Sequence, residues 1–294
     1  MMSVAILPLA APTGAMIRGV DLSKALSDRD FAAIDRAYSE YGVVYFSGQN
    51  LSPERQVAFS RRFGELENLS KITPHVHPEF PEIIILSNIV ENGKQIGVVD
   101  AGQYWHTDVQ FLEKPSRGSI LHAREVPVSD SGETLGDTQF ADQSKAYDDL
   151  PASLKRLIAP LKAKNSYRAR YELQKTNRQI AKGQKAPDEG VDAIHPVVRK
   201  HPVTGKKCLY VSEGYTTEIL GLPESEGRDL LKELFAQATK PEYTYTHKWQ
   251  VGDVLLWDNC MMQHNAVGNY TPSQRRLMHR TTLAGDMPLA ADPP

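Results

Sequence analysis

Cysteine is nearly absent: the 294-residue chain has two, Cys208 and Cys260, far apart and in no Cys-x-x-Cys pattern. That argues against a disulfide framework, and both read as small, reduced, buried thiols of a cytoplasmic protein. Charge of one sign is missing as well. A formal net charge of −2 leaves no basic footprint for nucleic acid. No apolar run is long enough to span a bilayer. The N-terminal stretch carries Pro8 and Pro12 and no early basic region, so it does not read as a signal peptide. Repeats, low-complexity segments and a His-Glu-x-x-His zinc motif are all absent. What remains, with 40% hydrophobic and 24% charged residues, is an ordinary globular balance able to bury a sizeable core.

Helix and strand signals alternate along the first third. Ser27 is placed to cap a helix with Phe31, Ile34, Tyr38 and Tyr41 on one face and Gly42 at its end. Val43 to Phe46 reads as a buried strand. Ser52 and Pro53 open a second helix, with Val57, Phe59 and Phe63 apolar and Gly64 at its C-terminus. From Trp105 onward short strands dominate, divided by Gly and Pro turns. Residues 139–159 read as helical, restarting at Pro151, and Pro223 to Thr239 as an amphipathic helix. A hairpin is expected around Thr204-Gly205, and the segment after Gln274 forms the last strand. The pattern suggests a mainly β single domain over 1–294 with flanking helices, a sandwich or jelly roll. Residues 162–191 are polar, basic and without clear period. So long a connection within a compact domain points to a lid insertion, whose Arg168 and Arg170 could attract an anion.

The chemistry begins at WHTDV. In a strand, residues two apart share a face, so His106 and Asp108 can reach one metal ion from one side. Two His and one carboxylate form the facial set of non-haem Fe(II) oxygenases, which leaves positions open for oxygen and a co-substrate. Among nine histidines, His264 is one candidate for the third ligand. His75, His77, His122, His195, His201, His247 and His279 compete with it on spacing alone. An iron oxygenase also needs two further electrons, which a chelating 2-oxoacid supplies through oxidative decarboxylation. Its distal carboxylate calls for a bidentate arginine. In QRRLMHRTTL, Arg276, Met278 and Arg280 fall on one face of a strand and Arg275 on the other. Two inward guanidiniums could hold two anions, the co-substrate and an anionic substrate.

With these stretches in view, the sequence resembles the TauD/TfdA family, the taurine dioxygenase and phenoxyacetate dioxygenase group, over nearly its whole length. The matching segments are GAMIRGVDLS, AFSRRFGEL, WHTDVQF, GETLGDT, HPVVRKHPVTGKK, GYTTEI, TKPEY, LLWDN and QRRLMHRTTLAGD. The resemblance implies a double-stranded β-helix. It also implies iron ligands at His106, Asp108 and His264, 2-oxoglutarate contacts at Thr134 and Arg276, and a substrate-anion contact at Arg280. The implied reaction consumes Fe(II)-bound 2-oxoglutarate and O2, releases succinate and CO2, and hydroxylates the substrate. The carboxylate of Asp108 speaks for hydroxylation over halogenation, which needs that position vacant. Relatives often assemble as dimers or tetramers.

The substrate pocket departs from the taurine pattern. Tyr167 and Tyr215 stand where taurine enzymes carry phenylalanines, so the substrate is expected to bear an additional polar group. No histidine follows FGEL directly, and Lys71, His75 and His77 are the candidate anion contacts there. The leading reading is an oxygenase of a small anionic molecule, an alkyl sulfonate such as taurine or an alkyl sulfate. An aryloxyalkanoate dioxygenase is the alternative, and the stretch before the HTD motif is closer to the phenoxyacetate enzymes. A non-catalytic metal-binding sensor of small acids and a zinc hydrolase are further readings. No nucleic-acid or membrane partner is expected.

Overall fold

The structure, a computed structural model, describes residues 4–68, 70, 73–99, 102–176 and 192–293. The chain runs through β1 (Ala5–Pro8), β2 (Ala15–Arg18), α1 (Asp28–Tyr41), β3 (Val43–Phe46), α2 (Pro53–Ser60), β4 (Ile84–Ser87), β5 (Val90–Glu91), β6 (Lys94–Gln95) and β7 (Gly118–Glu125). It continues through β8 (Thr138–Asp142), α3 (Gln143–Asp148), α4 (Ala152–Ile158), β9 (Lys162–Ser166), α5 (Tyr167–Thr176), β10 (Asp192–Pro196), β11 (Val198–Lys200) and β12 (Lys207–Leu209). The last elements are β13 (Thr216–Ile219), α6 (Glu224–Ala238), β14 (Thr244–His247), β15 (Val254–Asp258), β16 (Met262–Ala266) and β17 (Leu277–Leu283). The fold is mainly β with flanking helices, as the strand and turn signals imply. No described helix is long and apolar enough to cross a membrane.

The largest sheet has the order β1-β2-β3-β15-β7-β17-β4. It is antiparallel except where β2 meets β3. Its central strands are apolar at consecutive positions because both faces are covered. Val44, Phe46, Ile120, Val254 and Leu256 point into one core, which α1 closes with Ile34, Ala37 and Tyr38. Val43, Leu121, Leu255 and Trp257 point the other way, into a core shared with Phe140, Trp249 and Met262. Those partners lie on or beside a second antiparallel sheet, β14-β8-β16. His264 of the small sheet packs its ring on Trp257 of the large one.

Local signals set several boundaries. The Ser27 side chain accepts from the Asp30 amide, a cap worth about 1 kcal/mol. Gly42, at φ 69, ends α1 by donating its amide to the Tyr38 carbonyl. A side chain on Gly42 would also run into Met262 and Met261. Pro53 occupies the first turn of α2, behind the Ser52 cap.

Three expectations need correction. Residues 139–142 are not helical; they belong to β8, the centre of the small sheet, and the helix starts only at Gln143. Residues 162–166, assigned to the lid, form β9, the centre of the sheet β10-β9-β13. Its polar look misleads because Asn165 is buried, accepting a hydrogen bond from Thr216, while Ala163 packs in the core. The segment after β9 therefore begins at α5, and residues 177–191 lie outside the described residues. The third concerns the metal motif. His106 pairs as an isolated bridge, but the chain turns at Asp108 and does not continue as a strand. Val109 is left-handed at φ 47, a conformation a β-branched residue rarely takes.

Candidate active site

Two backbone hydrogen bonds build the centre. The His106 amide donates to the His264 carbonyl at 3.1 Å, and the His264 amide returns a bond at 2.8 Å. This antiparallel bridge brings the two rings to 4.1 Å between centroids. His264 itself lies in β16, paired with Phe140 of β8 in the small sheet. Its ring packs against Trp257 at 4.8 Å and Phe140 at 6.2 Å. The turn after His106 then swings Asp108 back. Asp108 Oδ1 stands 3.8 Å from Nε2 of His106 and 3.8 Å from Nε2 of His264.

The donor set suits a divalent ion. One ligand atom from each of His106, Asp108 and His264 lies within 4.8 Å of the others, and all three residues are buried. The protonation states of His264 and Asp108 agree. Burial, then the neighbouring His106, holds His264 neutral, with its pKa lowered to about 3. Burial alone would raise the Asp108 carboxyl. The Arg280 guanidinium, the two imidazoles and the Ser119 hydroxyl outweigh it and keep the group well below the usual carboxylate range. His106 Nδ1 faces the Tyr104 carbonyl at 2.8 Å, which turns Nε2 inward. Among the described residues no other cluster of His, Cys, Asp or Glu has this spacing. The seven competing histidines are thus elsewhere; His201 and His247, for example, pair with Asp258 and Asp253.

The two arginines lie where the strand argument puts them, with one refinement. Arg276 sits just before β17 and Arg280 within it, while Arg275 points away to form a bidentate pair with Glu125. Arg276 lines a cleft whose empty space, its open mouth included, is about 370 Å³. Leu86, Val98, Gln103, Val267 and Tyr270 are among its other walls. The guanidinium is buried, its Nε has no hydrogen-bond partner, and no carboxylate pairs with it among the described residues. Burial lowers its pKa, as it does for any cation held out of water. Gly136 makes room for it: a side chain there would press on the Tyr270 ring and the Arg276 Nε. Arg280 reaches the triad directly, with Nη1 donating to Asp108 Oδ1 at 3.3 Å.

Aromatic rings wall the other side. Tyr215, buried, lies 6.1 Å from the His106 ring and 5.2 Å from Phe111. Phe111 in turn lies 4.7 Å from Tyr167, at the start of α5. Tyr215 thus touches the His106 ring, and Tyr167 lies one ring further out, against Phe111. For Thr134 and His75 the described residues show no bond to the triad. Thr134 is half-buried in a bridge with Val128, two residues ahead of Gly136, and is not among the cleft's walls. His75 sits beside β4, its carbonyl accepting from the Ile85 amide, with no described bond to the triad. Lys71 lies outside the described residues. Sequence reasoning passed over Tyr104, Phe111, Gly136 and Ser119. Gly136, inside GETLGDT, and Phe111, inside WHTDVQF, left signals that could have been followed.

Comparison with known proteins agrees with this geometry. Residues 5–282 match the family described as "Taurine catabolism dioxygenase TauD, TfdA family". The chain is 35% identical to pentalenolactone F synthase of Streptomyces arenae, over 95% of this chain and 94% of that one. It is 34% identical to the alpha-ketoglutarate-dependent 2,4-dichlorophenoxyacetate dioxygenase of Cupriavidus pinatubonensis, over 97% and 99%. The crystal structure of a taurine dioxygenase from Burkholderia xenovorans superposes with a TM-score of 0.81 at 31% identity, covering 99% of this chain and 94% of that one.

Proposed function

The chain belongs to the TauD, TfdA family of dioxygenases, which use Fe(II), 2-oxoglutarate and O2, and from that premise we propose that it hydroxylates a small anionic organic acid between its two β layers. His106, Asp108 and His264 would hold the iron. Bound there, iron supplies oxygen activation, driven by decarboxylation of 2-oxoglutarate to succinate and CO2. Arg276 would grip the distal carboxylate of 2-oxoglutarate in its cleft. The observation that carries this reading is Arg276 itself, a buried cation without a carboxylate partner among the described residues. A buried charge calls for a counter-ion, and a planar guanidinium suits a carboxylate best. The place of Thr134 at the same co-substrate rests on the family pattern alone.

Arg280 would anchor the substrate anion next to the iron. Tyr104, Phe111, Tyr167 and Tyr215 would exclude water from the reacting carbon and press the substrate against His106. We keep an alkyl sulfonate or alkyl sulfate as the first class to test. The four aromatic rings favour the second reading, an aryloxyalkanoate, whose ring could stack on them. Lys71 and His75 remain proposed contacts for the substrate anion.

We read the two sheets as a double-stranded β-helix forming one domain over 1–294, with the insertion expected around 162–191, from α5 onward, as its lid. A cytoplasmic dimer or tetramer without nucleic-acid or membrane partners completes the reading; size-exclusion chromatography with light scattering tests the assembly. The function test is succinate release from 2-oxoglutarate in air by Fe(II)-loaded protein. Taurine, longer sulfonates, alkyl sulfates and phenoxyalkanoates form the panel. A compound that raises succinate well above the uncoupled background names the class. No iron-dependent succinate at all would overturn the reading in favour of a sensor or a hydrolase.

A further inference from the structure

Asp108 has two oxygens and the structure gives them different neighbours. Oδ1 faces both imidazoles and Arg280. Oδ2 accepts a hydrogen bond from the Ser119 hydroxyl at 2.8 Å. Both residues are buried, Ser119 at 1% exposure. We propose that Ser119 is the positioning residue that decides how Asp108 binds metal: its hydroxyl occupies Oδ2 and leaves Oδ1 as the single binding oxygen.

The two backbones explain why such a device is needed. Asp108 sits on a turn, ahead of the left-handed Val109, with its chain no longer paired to a strand. Nothing in that turn fixes the rotation of the carboxylate about its own axis, because terminal torsions of this kind are broad. Ser119 is the opposite case. It lies in β7 between Trp257 of β15 and Thr282 of β17, paired on both sides. Its hydroxyl is thus a fixed point of the large sheet, aimed at a movable ligand. Supporting groups of this kind orient a ligand and tune its donation.

The chemical consequence follows from counting positions. Three ligand atoms on one face leave three positions for a chelating co-substrate and oxygen. A carboxylate binding through both oxygens would use a fourth and crowd out oxygen. Holding Oδ2 on Ser119 keeps that position open. The inference rests on the ligand assignment proposed above, and the test separates the two.

Manganese(II) serves as the probe, because its binding can be followed anaerobically by calorimetry and by loss of the free-ion resonance, without turnover. Ser119→Ala should weaken Mn(II) binding by roughly 10- to 100-fold. Ser119→Thr, which keeps the hydroxyl, should restore it to within a few-fold. In Fe(II)-loaded protein, Ser119→Ala should also release more succinate per substrate hydroxylated. Ser119→Cys, nearly the same size but a weak donor, is the folding control and should behave like Ala. Wild-type Mn(II) affinity in a folded Ala or Cys variant overturns the inference. Asp108→Ala is titrated in parallel. If it loses the metal while Ser119→Ala keeps it, only the role of Ser119 fails. If Asp108→Ala also keeps it, the ligand assignment fails and the inference with it.

Discussion

His106 and His264 meet through their backbones before they meet through any ion: each donates its amide to the other's carbonyl. The centre is therefore assembled by strand pairing, and removing one imidazole leaves that pairing in place. His106→Ala should fold with an unchanged far-ultraviolet spectrum and still lose iron-dependent succinate formation on the order of 10²-fold or more. Retained turnover would remove His106 from the ligand set.

The two guanidiniums predict separable kinetic defects. Arg276→Ala should raise the 2-oxoglutarate KM about 30-fold or more and leave the substrate KM nearly unchanged, since a charge-assisted pair is lost at the co-substrate alone. Arg280→Ala should do the reverse. It should also alter metal affinity, because Arg280 contacts the metal-facing oxygen of Asp108. Steady-state titration of each substrate at saturation of the other reads both. A swapped pattern would exchange the roles of the two residues.

Much of this centre was legible because its signals are local. His106 and Asp108 stand two apart, Arg276 and Arg280 four apart, and Ser27 and Gly42 bracket a helix with the chemistry of caps. What stayed hidden depends on partners far away in sequence. Phe140 looks helical within TQFADQSKAYDD, yet pairing with His264 and Tyr245 makes its segment a strand. Asn165 reads as surface until Thr216 satisfies it in the interior. Spacing put Asp108 beside His106 correctly but for the wrong reason, since a turn and not a strand returns it to the site. Ser119 had no signal at all; its role depends on a side chain eleven residues back that only the folded sheet brings near.

Acid should destabilise the large sheet through two histidines that face each other across it. His122 pairs in register with His279. Burial, then Arg124, lowers both to about 4. Their ordinary value is near 6.5, so the unfolded chain takes up these protons first as pH falls. The stability they confer is complete above about 6.5 and disappears as pH drops toward about 4. The melting temperature should fall by about 5–10 °C over that window beyond the trend from carboxylates. His122→Gln should flatten the slope. An unchanged slope would mean that these histidines titrate normally in the fold.

Val109 tests the turn that carries Asp108, the proposed metal ligand. Its φ of 47 puts a β-branched side chain in the left-handed region, at a cost of about 1–3 kcal/mol. The amide of Leu112 donates to the Val109 carbonyl at 2.9 Å and closes the turn. Asparagine tolerates the same backbone angles through its short polar side chain. Val109→Asn should therefore raise the melting temperature of the metal-free protein by roughly 2–4 °C. Asp108 should stay on Ser119, so metal affinity should remain near the wild-type value. A stabilised protein with weakened metal binding would instead show that the strain holds Asp108 in place, because relaxing the turn would then have let the carboxylate drift from His106 and His264.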